Sequence, residues 1–103
     1  MSLRPAVRIH RRIAEIGAAA WDACAGPSGN PFVAYDFLDI LEESGCAVER
    51  TGWGPQPLAV EGEAGQVGAV MPLYLKSHSQ GEYIFDLAWA EAYERAGGRY
   101  YPK

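Results

Sequence analysis

The sequence predicts an α+β fold, a mixed or antiparallel sheet with flanking helices, and three observations point to it. Near the start, Val7 and Ile9 alternate with Arg8 and His10, the period of two of a half-buried strand. Two apolar runs, at 57–61 and 66–76, flank a Gly-bounded turn at 62–65 and read as a β-hairpin. Near the end, Trp89, Ala92, Tyr93 and Ala96 recur at i, i+3, i+4, i+7, one face of a helix.

The elements follow in order. Residues 6–16 read as the opening strand, with Val7, Ile9 and Ile13 on its apolar side and His10 at a solvent-facing or edge position. Residues 17–25 read as a short helix in which Trp21 and Cys24 share a face, and Gly26-Pro27 ends it. Trp21 on that alanine-rich helix is expected to anchor its packing. After a turn at 26–30, a helix over 34–44 carries Phe37, Ile40 and Leu41 on one side, with Asp39, Glu42 and Glu43 facing solvent. Asp36 suits its first turn and Gly45 its left-handed stop, while Ala34 offers no cap.

Residues 46–55 are a turn-rich connection with Trp53 between two glycines. In the second hairpin strand nearly every residue from Val67 to Leu75 is apolar, which predicts cover on both faces. Pro72 cannot donate to a ladder and marks a bulge or an edge there. A polar turn from Lys76 to Glu82 follows, then a strand over 82–86. Asp86 is the expected N-cap of a helix over 87–96, which Gly97-Gly98 ends, and 99–101 begins another strand.

Composition bounds the function. At 103 residues the chain allows one domain or part of one, and 49% hydrophobic with 21% charged residues is a globular rather than a disordered balance. Residues 1–5 are expected to be disordered or extraneous to the fold. A net charge of -4 argues against nucleic acid as the main partner, and Arg4, Arg8, Arg11 and Arg12 read as a solvated face. No apolar run approaches the roughly 18 residues that cross a bilayer, and no signal-peptide pattern opens the chain, so the expectation is no membrane and a cytoplasmic compartment. Cys24 and Cys46 lack metal-ligand spacing and are expected as small buried thiols at helix positions. Phosphate-loop, zinc-helix and paired CxxC motifs are absent, so neither a cofactor nor a metal is expected within this stretch.

Lys76, His78, Glu82 and Asp86 form the polar set with the best claim to a site. An imidazole serves as acid, base or hydrogen-bond donor near neutral pH. Glu82 and Asp86, four apart in the predicted strand, share a face that suits binding an amine or orienting His78. Tyr74, Tyr83, Trp89, Tyr93, Tyr100 and Tyr101 supply amphipathic walls of the kind that hold sugars or peptides. Taken singly, each has a structural reading too: Asp86 as a cap, Trp89 and Tyr93 as a core face, the 76–82 stretch as a hydrophilic turn.

The run Pro72-Leu73-Tyr74-Leu75-Lys76-Ser77-His78-Ser79, with Gly81-Glu82-Tyr83, Phe85-Asp86, Trp89-Ala90, Ala92-Tyr93 and Gly98-Arg99-Tyr100-Tyr101-Pro102-Lys103, resembles the FemAB-like peptidoglycan biosynthesis/recognition family of bacterial proteins. Trp21-Asp22, Asn30-Pro31-Phe32, Phe37-Leu38, Leu41-Glu42-Glu43-Ser44-Gly45 and Gly52-Trp53 fit the same pattern upstream. The resemblance implies the N-terminal half of a GNAT acyltransferase fold, and family members several times longer imply an N-terminal piece. It implies an N-acyltransferase or aminoacyltransferase acting on an amine acceptor, with a peptidoglycan precursor as candidate. His78 and Glu82 would be the catalytic pair, and Lys76, Asp86, Trp89, Tyr93, Tyr100, Tyr101 and Lys103 would bind substrate. An acyl-CoA or aminoacyl donor would sit beyond Lys103, leaving this piece inactive alone. The alternative is a non-catalytic peptide- or glycan-binding module, and an open sheet edge predicts pairing with a second copy.

Overall fold

The computed structural model describes residues 6–80 and 85–103. In chain order the elements are β1 (Val7–Ile9), α1 (Ala18–Ala25), α2 (Tyr35–Glu43), β2 (Trp53–Pro55), β3 (Leu58–Glu61), β4 (Val67–Met71), β5 (Tyr74–Lys76) and α3 (Leu87–Arg95), joined by short 3-10 turns. β1, β3 and β4 form an antiparallel sheet in the order β1-β3-β4, and β2 pairs antiparallel with β5 in a second, two-stranded sheet. The fold is α+β, as the hydrophobic periods predict.

Three buried side chains, Ile13, Trp21 and Leu38, make the core, with Ile16, Tyr35, Leu41 and Val70 packed around them. Trp21 anchors α1 as expected: it is fully buried, and its Nε1–H donates to the Val33 carbonyl at 2.8 Å. The cap that Ala34 cannot supply comes from a neighbouring helix, since Asp22 Oδ1 of α1 accepts the Tyr35 N–H at 3.0 Å. Beyond α2, Gly45 takes a left-handed φ of 80° as the helix stop.

Several expectations are corrected. The opening strand is shorter than 6–16, because side-chain carboxylates capture the backbone donors that a longer ladder would use. Glu15 accepts the Arg11 N–H at 3.1 Å, and Glu42 accepts the Ile13 N–H at 3.1 and 3.2 Å. Glu42 therefore faces the interior rather than solvent, and its carboxyl is raised by loss of water despite the Ile13 bond. This bond and the Asp22 contact turn α2 so that Leu38 enters the core, while Phe37 and Ile40 are exposed and Phe37 packs edge-on against Phe32 outside. The 66–76 strand is not covered on both faces. Pro72 divides it into β4 and β5, which join different sheets, and Met71 and Leu75 are left exposed.

Cys24 is half-buried, but Cys46 is exposed and lies past the end of α2. Of the strand predicted over 82–86, residues 82–84 lie outside the described residues, as do 1–5, and Asp86 is not in a strand. The Trp89/Tyr93 face of α3 is open: Leu87, Trp89 and Tyr93 are 70%, 75% and 53% exposed, and the buried residue is Ala90. The radius of gyration is 16.8 Å, against about 13 Å for a compact chain of this size. Residues 99–101 form no strand; side chains hold them instead. No helix among the described residues is long and apolar enough to cross a membrane.

Candidate functional site

The site begins at the β2–β5 ladder. Trp53 lies opposite Lys76 in the register, and the ladder extends one step as Ser77 N–H donates to the Gly52 carbonyl at 3.1 Å. That step places His78 on Gly52. The glycine has φ 89° and ψ 7°, and a Cβ there would lie 2.7 and 2.8 Å from Cε1 and Cδ2 of the imidazole and nearer still to Nε2. Such similar distances put that Cβ over the ring face rather than in the ring plane. Nδ1 of His78 accepts the Gln80 N–H at 3.1 Å. In the neutral ring the proton then sits on Nε2, which has no protein partner among the described residues and acts as a donor.

Asp86 is the second centre. It occupies the N-cap position of α3 without making the cap bond. Its carboxylate is turned toward the chain after the helix: Tyr100 donates to Oδ2 at 2.8 Å, Tyr101 donates to Oδ1 at 3.0 Å, and the Lys103 ammonium pairs with Oδ2. These donors outcompete the helix N–H groups because an ammonium and two phenols bond a carboxylate more strongly than a frayed helix end does. The Lys103 bond, then that from Tyr100, hold the Asp86 carboxyl down at about 2 against the opposing effect of lost water, with Tyr101 adding to them. The same contacts raise Tyr100, chiefly through its bond to Asp86, and raise Lys103 for the same reason; Tyr101 is raised first by burial and then by Asp86. Tyr100 and Tyr101 meet edge-on at 5.0 Å, and Tyr93 meets Tyr100 edge-on at 6.0 Å.

Two bonds fasten this cluster to the β5 turn. Lys103 N–H donates to Ser79 Oγ at 2.8 Å, and the Lys76 ammonium donates to the Lys103 carbonyl at 2.7 Å while lying 4.7 Å over the Trp53 ring. Between the turn and the terminal segment opens a cleft of about 430 Å³, lined by Ser77, His78, Ser79, Gln80, Asp86, Arg99, Tyr101, Pro102 and Lys103.

The structure thus brings together His78, Asp86, Tyr101 and Lys103 of the sequence-derived set, with Lys76 and Tyr100 directly behind. Trp89 lies on the open side of α3 and does not line the cleft, and Tyr93 reaches the site only through Tyr100. Tyr74 belongs to another contact, edge-on to Trp53 at 5.7 Å. Glu82 and Tyr83 lie outside the described residues. Sequence reasoning quoted Gly52, Ser79 and Arg99 within the family pattern but gave them no role at the site. A glycine before Trp53 was the available sign for the first, whereas nothing local distinguishes Arg99 from a surface arginine.

At neutral pH the Asp86 carboxylate is ionised and bonded on both oxygens, so it positions its neighbours and does not take protons. The cleft offers donors, from His78 Nε2, the serine hydroxyls and the Arg99 guanidinium, beside an aromatic wall. Such a surface holds a carbonyl, a carboxylate or a polar peptide group. Among the described residues no group of three His, Cys, Asp or Glu side chains converges as a metal site. A family model for FemAB-like peptidoglycan biosynthesis/recognition matches residues 12–103. Neither the curated proteins nor the solved structures offer a match.

Proposed function

We propose that this chain, which belongs to the FemAB-like family of peptidoglycan biosynthesis and recognition, holds the acceptor side of an acyl or aminoacyl transfer to a peptidoglycan-precursor amine. The family ties the chain to peptidoglycan chemistry; the transfer reaction and its GNAT-like framework are our reading. The observation that carries it is the donor-lined cleft between His78 and the Asp86–Tyr100–Tyr101–Lys103 cluster.

In the proposed reaction a neutral amine attacks the carbonyl carbon of a thioester or ester. A C–N bond forms, the C–S or C–O bond breaks, and the amine proton goes to a base. His78 Nε2–H fits the carbonyl-polarising role, because Nδ1 is engaged by Gln80. Tyr101 and Lys103, fixed by Asp86, wall the acceptor. Glu82, four residues before Asp86, is the carboxylate proposed to take the amine proton.

One observation favours a second reading, a binding module without turnover. Asp86 is bonded on both oxygens, with its carboxyl held down at about 2, and Nδ1 of His78 is occupied, so the described part of the cleft presents no free base. The two are separated by incubating the protein with a soluble muropeptide bearing a free amine and with acyl and aminoacyl donors, and weighing products by mass spectrometry. Product formation that His78→Ala and Glu82→Ala abolish in folded variants supports transfer. Muropeptide binding with no product, and indifferent to Glu82→Ala, supports the module. No muropeptide binding at all overturns both.

A further inference from the structure

The chain carries a net charge of -4, yet Arg99 and Lys103 outnumber Asp86 among the described side chains that line its cleft. From this we infer that the cleft binds a carboxylate, the free acid of a peptide, between Arg99 and His78. The inference rests on the cleft being the ligand site proposed above and names the group it takes.

The lining charges are Asp86, Lys103 and Arg99. Asp86 and Lys103 form an ion pair and cancel. The nearby Lys76 ammonium is engaged by the Trp53 face and the Lys103 carbonyl. Glu94 of α3 acts on Tyr101 from the solvent side and is exposed. Arg99 lines the cleft, is exposed, and makes no ion pair among the described residues.

The hydrogen-bond inventory leans the same way. Both Asp86 oxygens accept bonds, Ser79 Oγ accepts the Lys103 N–H, and His78 Nδ1 accepts the Gln80 N–H. Ser77 Oγ and the Gln80 amide can donate or accept, whereas the five guanidinium N–H groups of Arg99 and His78 Nε2–H can only donate. Their complement is a group of acceptors only, with negative charge. The single charge of Arg99 suits a singly charged carboxylate better than a phosphate dianion. The planar guanidinium fork matches two carboxylate oxygens in one plane.

The test titrates the isotope-labelled chain, followed by NMR of the His78 ring and Arg99 side chain, with four probes: N-acetyl-D-alanine, N-acetyl-D-alaninamide, inorganic phosphate and a soluble muropeptide. The expected result is a saturable shift of both side chains with the acid, weakened roughly tenfold or more with the amide or in Arg99→Gln. Arg99 is exposed, so that variant keeps the wild-type backbone spectrum. Equal responses to acid and amide would overturn the carboxylate assignment while leaving the cleft as a ligand site. Phosphate binding more tightly than the acid would overturn it in favour of a phosphoryl group. Silence of His78 and Arg99 toward all four probes would remove the cleft reading together with this one.

Discussion

Gly52 supports His78, and replacing it with alanine measures how firmly. The backbone there has φ 89° and ψ 7°, a left-handed conformation that costs an L residue about 1–2 kcal/mol. The added methyl would also press into the imidazole, 2.7 Å from Cε1 and 2.8 Å from Cδ2; the ring ends a half-exposed side chain that can swing aside, so this overpacking costs only about 1 kcal/mol. Together they predict a loss of about 2–3 kcal/mol for Gly52→Ala. Gly29 provides the internal comparison, because it has φ 67° and nothing within 4 Å of its Cβ position. Gly29→Ala is therefore expected to lose only the backbone share of about 1–2 kcal/mol. Urea unfolding followed by tryptophan fluorescence reads both, and the Gln80 amide resonance reports whether the imidazole still accepts its bond. In a His78→Ala background the cost of Gly52→Ala should fall to that of Gly29→Ala, since the ring is gone. If Gly52→Ala costs no more than Gly29→Ala while the Gln80 amide stays unmoved, the ring does not rest on this glycine and the reasoning fails.

Other outcomes follow from the same contacts. Asp86 has a folded carboxyl depressed from 3.8 to about 2, so its contribution to stability is present above the unfolded value and is lost as pH falls through that window. Asp86→Asn should flatten the acid limb of the stability curve between those values in circular dichroism melts, and a limb identical to wild type would contradict the cluster. The same substitution replaces the charged acceptor that raises Tyr100 with a neutral amide, so spectrophotometric titration should show its phenol ionising at lower pH than in wild type. Glu42 is shifted the other way: its raised carboxyl favours the protonated fold, a contribution complete below the unfolded value and lost as pH rises through the folded one. Glu42→Gln keeps an acceptor for the Ile13 N–H and should be neutral or stabilising near pH 7, whereas Glu42→Ala leaves that donor without its bond and should cost about 1 kcal/mol in urea unfolding. Trp21→Phe keeps an aromatic core residue but drops the bond to the Val33 carbonyl, for a loss of about 1–2 kcal/mol by the same measurement, and no loss would mean the bond contributes nothing.

The places where sequence and structure part share a physical origin. α2 has apolar residues at 37, 38, 40 and 41, enough for two inward faces, and periodicity alone favoured the Phe37 side. Two contacts from distant residues, Asp22 to Tyr35 N and Glu42 to Ile13 N, chose the Leu38 side. Asp86 sits where a cap belongs, and short-range chemistry said cap. Three donors from 14 to 17 residues later claimed the carboxylate instead. The regular face of α3 was legible as a helix, but whether a face is buried depends on what arrives to cover it, and Trp89 and Tyr93 stay exposed.

By itself the sequence determined the α+β class, the hairpin, the helices and their stops, because apolar period and turn chemistry are local. It also determined the family, and a polar set that includes His78, Asp86, Tyr101 and Lys103, because those residues stand in one recognisable run. Only the tertiary structure decided that Gly52 carries the His78 ring, that Nδ1 rather than Nε2 is occupied, and that Arg99 faces the cleft with its charge unmatched among the described residues. Each of these joins segments more than 20 residues apart or turns on the direction of one ring nitrogen. A linear pattern has no term for either, whereas packing and hydrogen-bond geometry settle both.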